Sequence, residues 1–123
     1  QRIPNTFITG DPDDRLPNTC NIACEYIEGE AILLMLNRAG IAASSGSACT
    51  SGSLEPSHVL RAMAIPYTAA HGATRFSFSR QNTEEDVDHV IAAMPPIIER
   101  LRELSPFWNG AGEAPKTFSP VYA

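Results

Sequence analysis

Val87, Val90, Ile91, Met94, Ile98 and Leu101 recur at helical spacing, and no other feature of the chain constrains its fold so strongly. A helix with one apolar stripe must bury it against a second layer. The segments able to supply that layer alternate with period two. From Thr19 to Tyr26 the alternation puts Cys20, Ile22 and Cys24 on one face of a strand. From Ala73 to Ser79 it puts Phe76 and Phe78 on one face, Arg75 and Ser77 on the other. Phe7-Ile8-Thr9 reads as a further short strand, closed by the turn cluster Gly10-Asp11-Pro12-Asp13-Asp14. Thr83 starts the striped helix, with Asp86 three residues on in the place of the usual capping-box Glu or Gln. Glu84, Glu85, Asp86 and Asp88 complement the positive end of its dipole. Pro95-Pro96 should kink or divide it.

A second helix is expected over Gly29–Arg38, apolar nearly all round and so mostly buried, with Gly40 just past its end. Ile41-Ala42-Ala43 looks like a short strand, and Pro56–Met63 like a helix with the proline in its first turn. After Leu104 the chain turns rich in Pro and Gly and reads as a poorly ordered tail. The expectation is an α+β fold, a small mixed or antiparallel sheet with helices packed on one face. Residues 1–105 form the domain and residues 106–123 the tail.

A length of 123 residues suits one domain with one core. Nine basic against fourteen acidic residues, a net charge of −5, argue against a nucleic-acid-binding surface. No apolar run approaches a bilayer's thickness. Three cysteines do not make a disulfide-stapled secreted domain, so a reducing cytoplasm is expected. The chain begins with Gln1 and reads as a piece of a longer protein. Its single lysine, Lys116, lies among Gly and Pro near the end, so chemistry that needs a buried lysine is not expected within the domain.

The cysteines divide into two kinds. Cys20 and Cys24 read as small core residues. Four residues along a strand is about 13 Å, too far for a shared disulfide or a shared zinc ion. Cys49 sits in Ser-Ser-Gly-Ser-Ala-Cys-Thr-Ser-Gly-Ser, residues 44–53, with nothing bulky to bury it. That reads as a mobile loop carrying an accessible thiol. Arg75, on its strand, is either an ordinary ion-paired surface arginine or a planar fork for a carboxylate. His58 and His89 read as surface residues; His71 precedes Gly72 in a loop and could approach a site.

The run from Ser44 to Arg61 resembles the active-site loop and following helix of the cysteine desulfurases, in the version with the longer loop. The resemblance extends through Leu16-Pro17-Asn18, Glu28-Gly29-Glu30-Ala31, Arg75-Phe76-Ser77, Asn82 to Asp86 and Leu104-Ser105-Pro106, nearly the whole chain. Ala69-Ala70-His71-Gly72, Pro95-Pro96-Ile97-Ile98 and Pro120-Val121-Tyr122 look like the nitrogen-fixation, NifS-like branch. The resemblance implies the C-terminal small domain of a pyridoxal-phosphate-dependent enzyme of the class-V aminotransferase family. It implies that pyridoxal phosphate forms an aldimine with L-cysteine, that Cys49 attacks the substrate sulfur, and that alanine and an enzyme persulfide result. It implies that Arg75 binds the substrate carboxylate. An iron–sulfur scaffold protein would accept the sulfur, Cys49 serving at most as a transient iron–sulfur ligand, and the parent enzyme would be a homodimer. The family's cofactor lysine, its ring-stacking histidine and its phosphate-binding residues have no match here. They are expected in a large domain, so the chain alone should bind no cofactor and be inactive. The alternatives are a non-catalytic module that accepts sulfur or docks a scaffold, and a metal-binding domain using the three cysteines.

Overall fold

A computed structural model describes residues 3–46 and 55–108 of the chain. Three strands form an antiparallel sheet in the order β1-β2-β3: β1 (Thr6–Ile8), β2 (Thr19–Cys24) and β3 (Ala73–Ser77). The central strand pairs Ile8 with Ile22 on one side and Thr74 with Ile22 on the other, which fixes the register across the sheet. Because side chains alternate along a strand, one sheet face carries Cys20, Ile22, Cys24, Thr74 and Phe76. On that face lie α1 (Gly29–Arg38) and α4 (Glu84–Leu104). Ile32, Leu36 and Ile98 are fully buried there, each side chain contributing about 1.5–3 kcal/mol by leaving water.

The opposite face is partly covered. Two one-turn helices, α2 (His58–Ala62) and α3 (Tyr67–His71), place Leu60, Ala69 and Ala70 against Ala23 and Ala73 in a small second cluster. Gly72 makes this possible. A Cβ there would lie 1.9 Å from the Cys24 carbonyl oxygen, so only glycine allows the approach of strand β2.

Several expectations are corrected. The α1 bounds are as read, and Gly40 is left-handed at φ +76, but the helix is amphipathic: Leu34 is 68% exposed. Its neighbours are fewer than an all-apolar helix needs, because the domain is only two layers deep on that side. Ile41-Ala42-Ala43 is not a strand; the pairing beside β3 is a single bridge between Ser44 and Arg75. Pro56 stands outside α2, because Ser57 takes the N-cap and accepts a hydrogen bond from Val59 N–H. His71 ends a helix rather than standing in a loop. Pro95 and Pro96 do not divide α4. The carbonyls they leave unpaired belong to Ile91 and Ala92, both exposed, where water can satisfy them. The Thr83–Asp86 capping box forms in both directions.

The chain beyond α4 is docked as far as Trp108. Ser105 Oγ donates to the Tyr26 carbonyl at 2.6 Å, and the Trp108 ring lies 5.7 Å from Tyr26 and 4.4 Å from the Arg102 guanidinium. Lys116 and the rest of the tail lie outside the described residues.

Candidate active site

One row across the less covered face of the sheet holds four polar residues in succession. The register puts Asn21 opposite Arg75. On the far side of Asn21, Thr9 N–H donates to the Asn21 carbonyl at 3.0 Å. On the far side of Arg75, the two backbone hydrogen bonds with Ser44 measure 2.6 and 3.0 Å. Thr9, Asn21, Arg75 and Ser44 therefore run side by side, perpendicular to the strands. Ala23 and Ala73 form the adjoining row beneath α2 and α3, and Thr19 and Ser77 the row on the other side.

Arg75 is exposed on this floor, and among the described residues no carboxylate forms an ion pair with it. Its backbone N–H and carbonyl are both held by Ser44, and no described carboxylate takes up its guanidinium. That is the arrangement a carboxylate-binding arginine needs. The reading of Arg75 as an ion-paired surface residue finds no partner among the described residues.

Cys49 lies outside the described residues, as does residues 47–54 as a whole. Both feet of that segment are described. Ser44 is fixed to Arg75, and its Oγ donates to the Gly46 carbonyl at 3.0 Å. Ser45 is seated beside Gly29, where an added Cβ would meet Ser45 Cβ at 3.1 Å and the Ala73 carbonyl at 3.0 Å. At the other foot Glu55 lies 4.0 Å from Arg61. A Cβ added at Gly46 would stand 3.7 Å from Ser57 Cβ, so the two feet are neighbours. The segment that carries Cys49 thus has one foot two residues beyond Ser44, the partner of Arg75, and the other foot, Ser57, beside Gly46.

Cys20 and Cys24 face the core, as expected. Burial pushes the Cys24 thiol up to about 11 against the opposing Arg102 charge, so it stays protonated and unreactive at neutral pH. Among the described residues no three metal-ligating side chains gather. His58 is exposed on α2; His89 is exposed, with its Nε2 2.8 Å from the Ala39 carbonyl. His71 Nε2 lies 3.5 Å from Glu28, and its ring stacks on Tyr67 at 5.5 Å, in an apolar cleft of about 540 Å³ that reaches Leu104 and Phe107. Arg75 does not line that cleft. Sequence reasoning names Arg75 as a site residue and Ser44 only as the start of the loop, and does not name Asn21 or Thr9 for the site. Period-two alternation already put Asn21 opposite the Cys20-Ile22-Cys24 face; only the strand register sets it against Arg75.

The described residues include no lysine, and Lys116 lies outside them. A pyridoxal phosphate site, which needs a lysine amine for its Schiff base, is not assembled from these groups.

Comparison with known proteins gives concordant results. The family described as Aminotransferase class-V matches residues 1–90. A cysteine desulfurase of Gluconacetobacter diazotrophicus is 70% identical over 123 residues, covering 100% of this chain and 31% of that protein. The cysteine desulfurase NifS of Azotobacter vinelandii is 70% identical, covering 98% of the chain and 31% of its own length. The X-ray structure of a NifS-like protein from Rickettsia africae superposes with a TM-score of 0.66 at 28% identity, covering 80% of this chain and 24% of that one. The chain thus spans less than a third of the length of these relatives.

Proposed function

The chain belongs to the class-V aminotransferase family and is similar to its NifS-type cysteine desulfurases, and from that premise we propose that it is the C-terminal small domain of such an enzyme. In this reading the whole protein converts L-cysteine to L-alanine and hands the sulfur to an iron–sulfur scaffold protein. The pairing of Arg75 with Ser44 carries the proposal: it supports an active site in which the carboxylate-binding arginine stands at the foot of the segment that bears Cys49.

Within that site each residue of this chain has one task. The Arg75 guanidinium binds the substrate carboxylate in a fork and so orients the side-chain sulfur. The Cys49 thiolate attacks that sulfur. An S–S bond forms as the substrate's C–S bond breaks, and the electron pair stays on the substrate carbon, which takes a proton to become alanine. Cys49 is left as a persulfide. Pyridoxal phosphate, which makes the carbon able to accept that pair, belongs to the remaining two-thirds of the polypeptide, and no step here is assigned to it. The chain by itself therefore binds no cofactor and releases no alanine. The full protein is cytoplasmic and a homodimer in this reading; no helix among the described residues is long and apolar enough to cross a membrane.

The test is alanine release from L-cysteine by the full-length protein. Cys49→Ala abolishes it, while Arg75→Ala raises KM for L-cysteine at least about tenfold, the loss of a charge-assisted pair. Undiminished release by Cys49→Ala overturns the role of Cys49. For the isolated chain, added pyridoxal phosphate gives no stoichiometric aldimine absorption band; a band quenched by borohydride would refute the assignment of the cofactor site elsewhere.

A further inference from the structure

We infer that Asn21 is a second carboxylate-binding residue, its side-chain amide donating to the same substrate oxygens that Arg75 holds. The inference rests on the reading of Arg75 given above and extends it to a residue that sequence reasoning passed over.

Asn21 and Arg75 are directly opposite on β2 and β3. Arg75 uses its backbone N–H and carbonyl toward Ser44 on the other side, so its pair with Asn21 is of the type without mutual backbone hydrogen bonds. Such pairs have the closer side chains, with Cα atoms about 4.5 Å apart. Both side chains rise from the same sheet face.

Thr9 is buried, and its hydroxyl donates to Asn21 Oδ1 at 3.1 Å. A planar carboxamide whose oxygen is held toward β1 turns its Nδ2–H₂ group away from β1. Among the described residues nothing accepts a hydrogen bond from that Nδ2, and Asn21, only partly buried, stands opposite Arg75 on the same sheet face. A neutral donor next to an arginine suits an anion: it adds hydrogen bonds without adding like charge that would repel Arg75. Hydrogen bonding by the Thr9 hydroxyl polarises the amide in the favourable direction.

The test uses the full-length protein with its cofactor, and competitive inhibition by L-alanine and by L-alaninamide, which lacks the carboxylate. Asn21→Ala is expected to raise KM for L-cysteine and Ki for L-alanine about tenfold, with kcat within about twofold and Ki for L-alaninamide unchanged. Asn21→Asp keeps the shape and the Thr9 contact but sets a negative charge against the carboxylate, so it should raise both constants further; it carries the test if the alanine variant does not fold. In an Arg75→Ala background the added effect of Asn21→Ala should be smaller than in the parent, since both act on one ligand group. Unchanged constants for L-cysteine and L-alanine, or equal shifts for L-alanine and L-alaninamide, overturn the role of Asn21 and leave that of Arg75 standing. Unchanged constants in Arg75→Ala overturn both.

Discussion

Arg75 and Cys24 stand on neighbouring strands, face opposite ways and have opposite chemistry. The first is exposed and unpaired among the described residues; the second is 0% exposed, with its thiol pushed from 9.0 to about 11 by burial. The folded state therefore holds a proton on Cys24 that the unfolded chain loses first. Its contribution is intact below pH 9 and is lost as pH rises toward 11, so stability should fall across that window. Urea midpoints at a series of pH values check this, with Cys24→Ala as the control in which this component of the slope disappears. Gly72 offers a sharper residue-level test. Gly72→Ala forces a Cβ onto the Cys24 carbonyl at 1.9 Å, against backbone that cannot yield cheaply, and should cost at least about 3 kcal/mol in a denaturant melt. The sequence announced Arg75 and Cys24, because alternation assigns each to a face. It did not announce Asn21, because a polar residue on a solvent face is unremarkable until the register puts an arginine beside it.

Elements were legible in proportion to their local signals. Helix α4 carries a cap, an acidic first turn and a long stripe, and it forms with Thr83 Oγ1 accepting from Asp86 N–H while the Asp86 carboxylate accepts from Thr83 N–H. Thr83→Ala should destabilise the domain by about 1 kcal/mol, read as a shifted denaturant midpoint. The hydrogen bonds from Thr83 and Asn82 hold the Asp86 carboxylate below its usual range, so its contribution is present above the ordinary carboxylate pKa and is lost as pH falls through the lowered value. Helix α3 carries no sequence signal because five residues, Tyr-Thr-Ala-Ala-His, are too few to show a period. It exists because Ala69 and Ala70 fit against Ala23 and Ala73, a tertiary cause that local sequence does not carry. The Ile41–Ala43 segment does not form a strand: only Ile41 favours one, and pairing begins only at Ser44.

At the scale of the molecule, Arg102 ties the ends of the domain together. It is 3% exposed, donates to the Asn5 carbonyl at 3.1 Å and to the Glu25 carbonyl at 3.5 Å, and lies against Trp108. Arg102→Met keeps most of the length but loses these bonds, and should cost about 1.5–3 kcal/mol in a melt while freeing Trp108 fluorescence from its stacked environment. The two-layer architecture was readable from the stripe and the alternating strands, whereas this closure depends on contacts between residues 97 apart in sequence. The same scale holds the central claim, that a domain without a cofactor lysine supplies the thiol which takes the sulfur. The most direct measurement is mass spectrometry of the full-length protein after a brief incubation with L-cysteine, locating the added sulfur. The account predicts one extra sulfur on the peptide containing Cys49, none on Cys20 or Cys24, and none in the isolated chain. A persulfide on Cys24, or unchanged sulfur loading in Cys49→Ser, would contradict it.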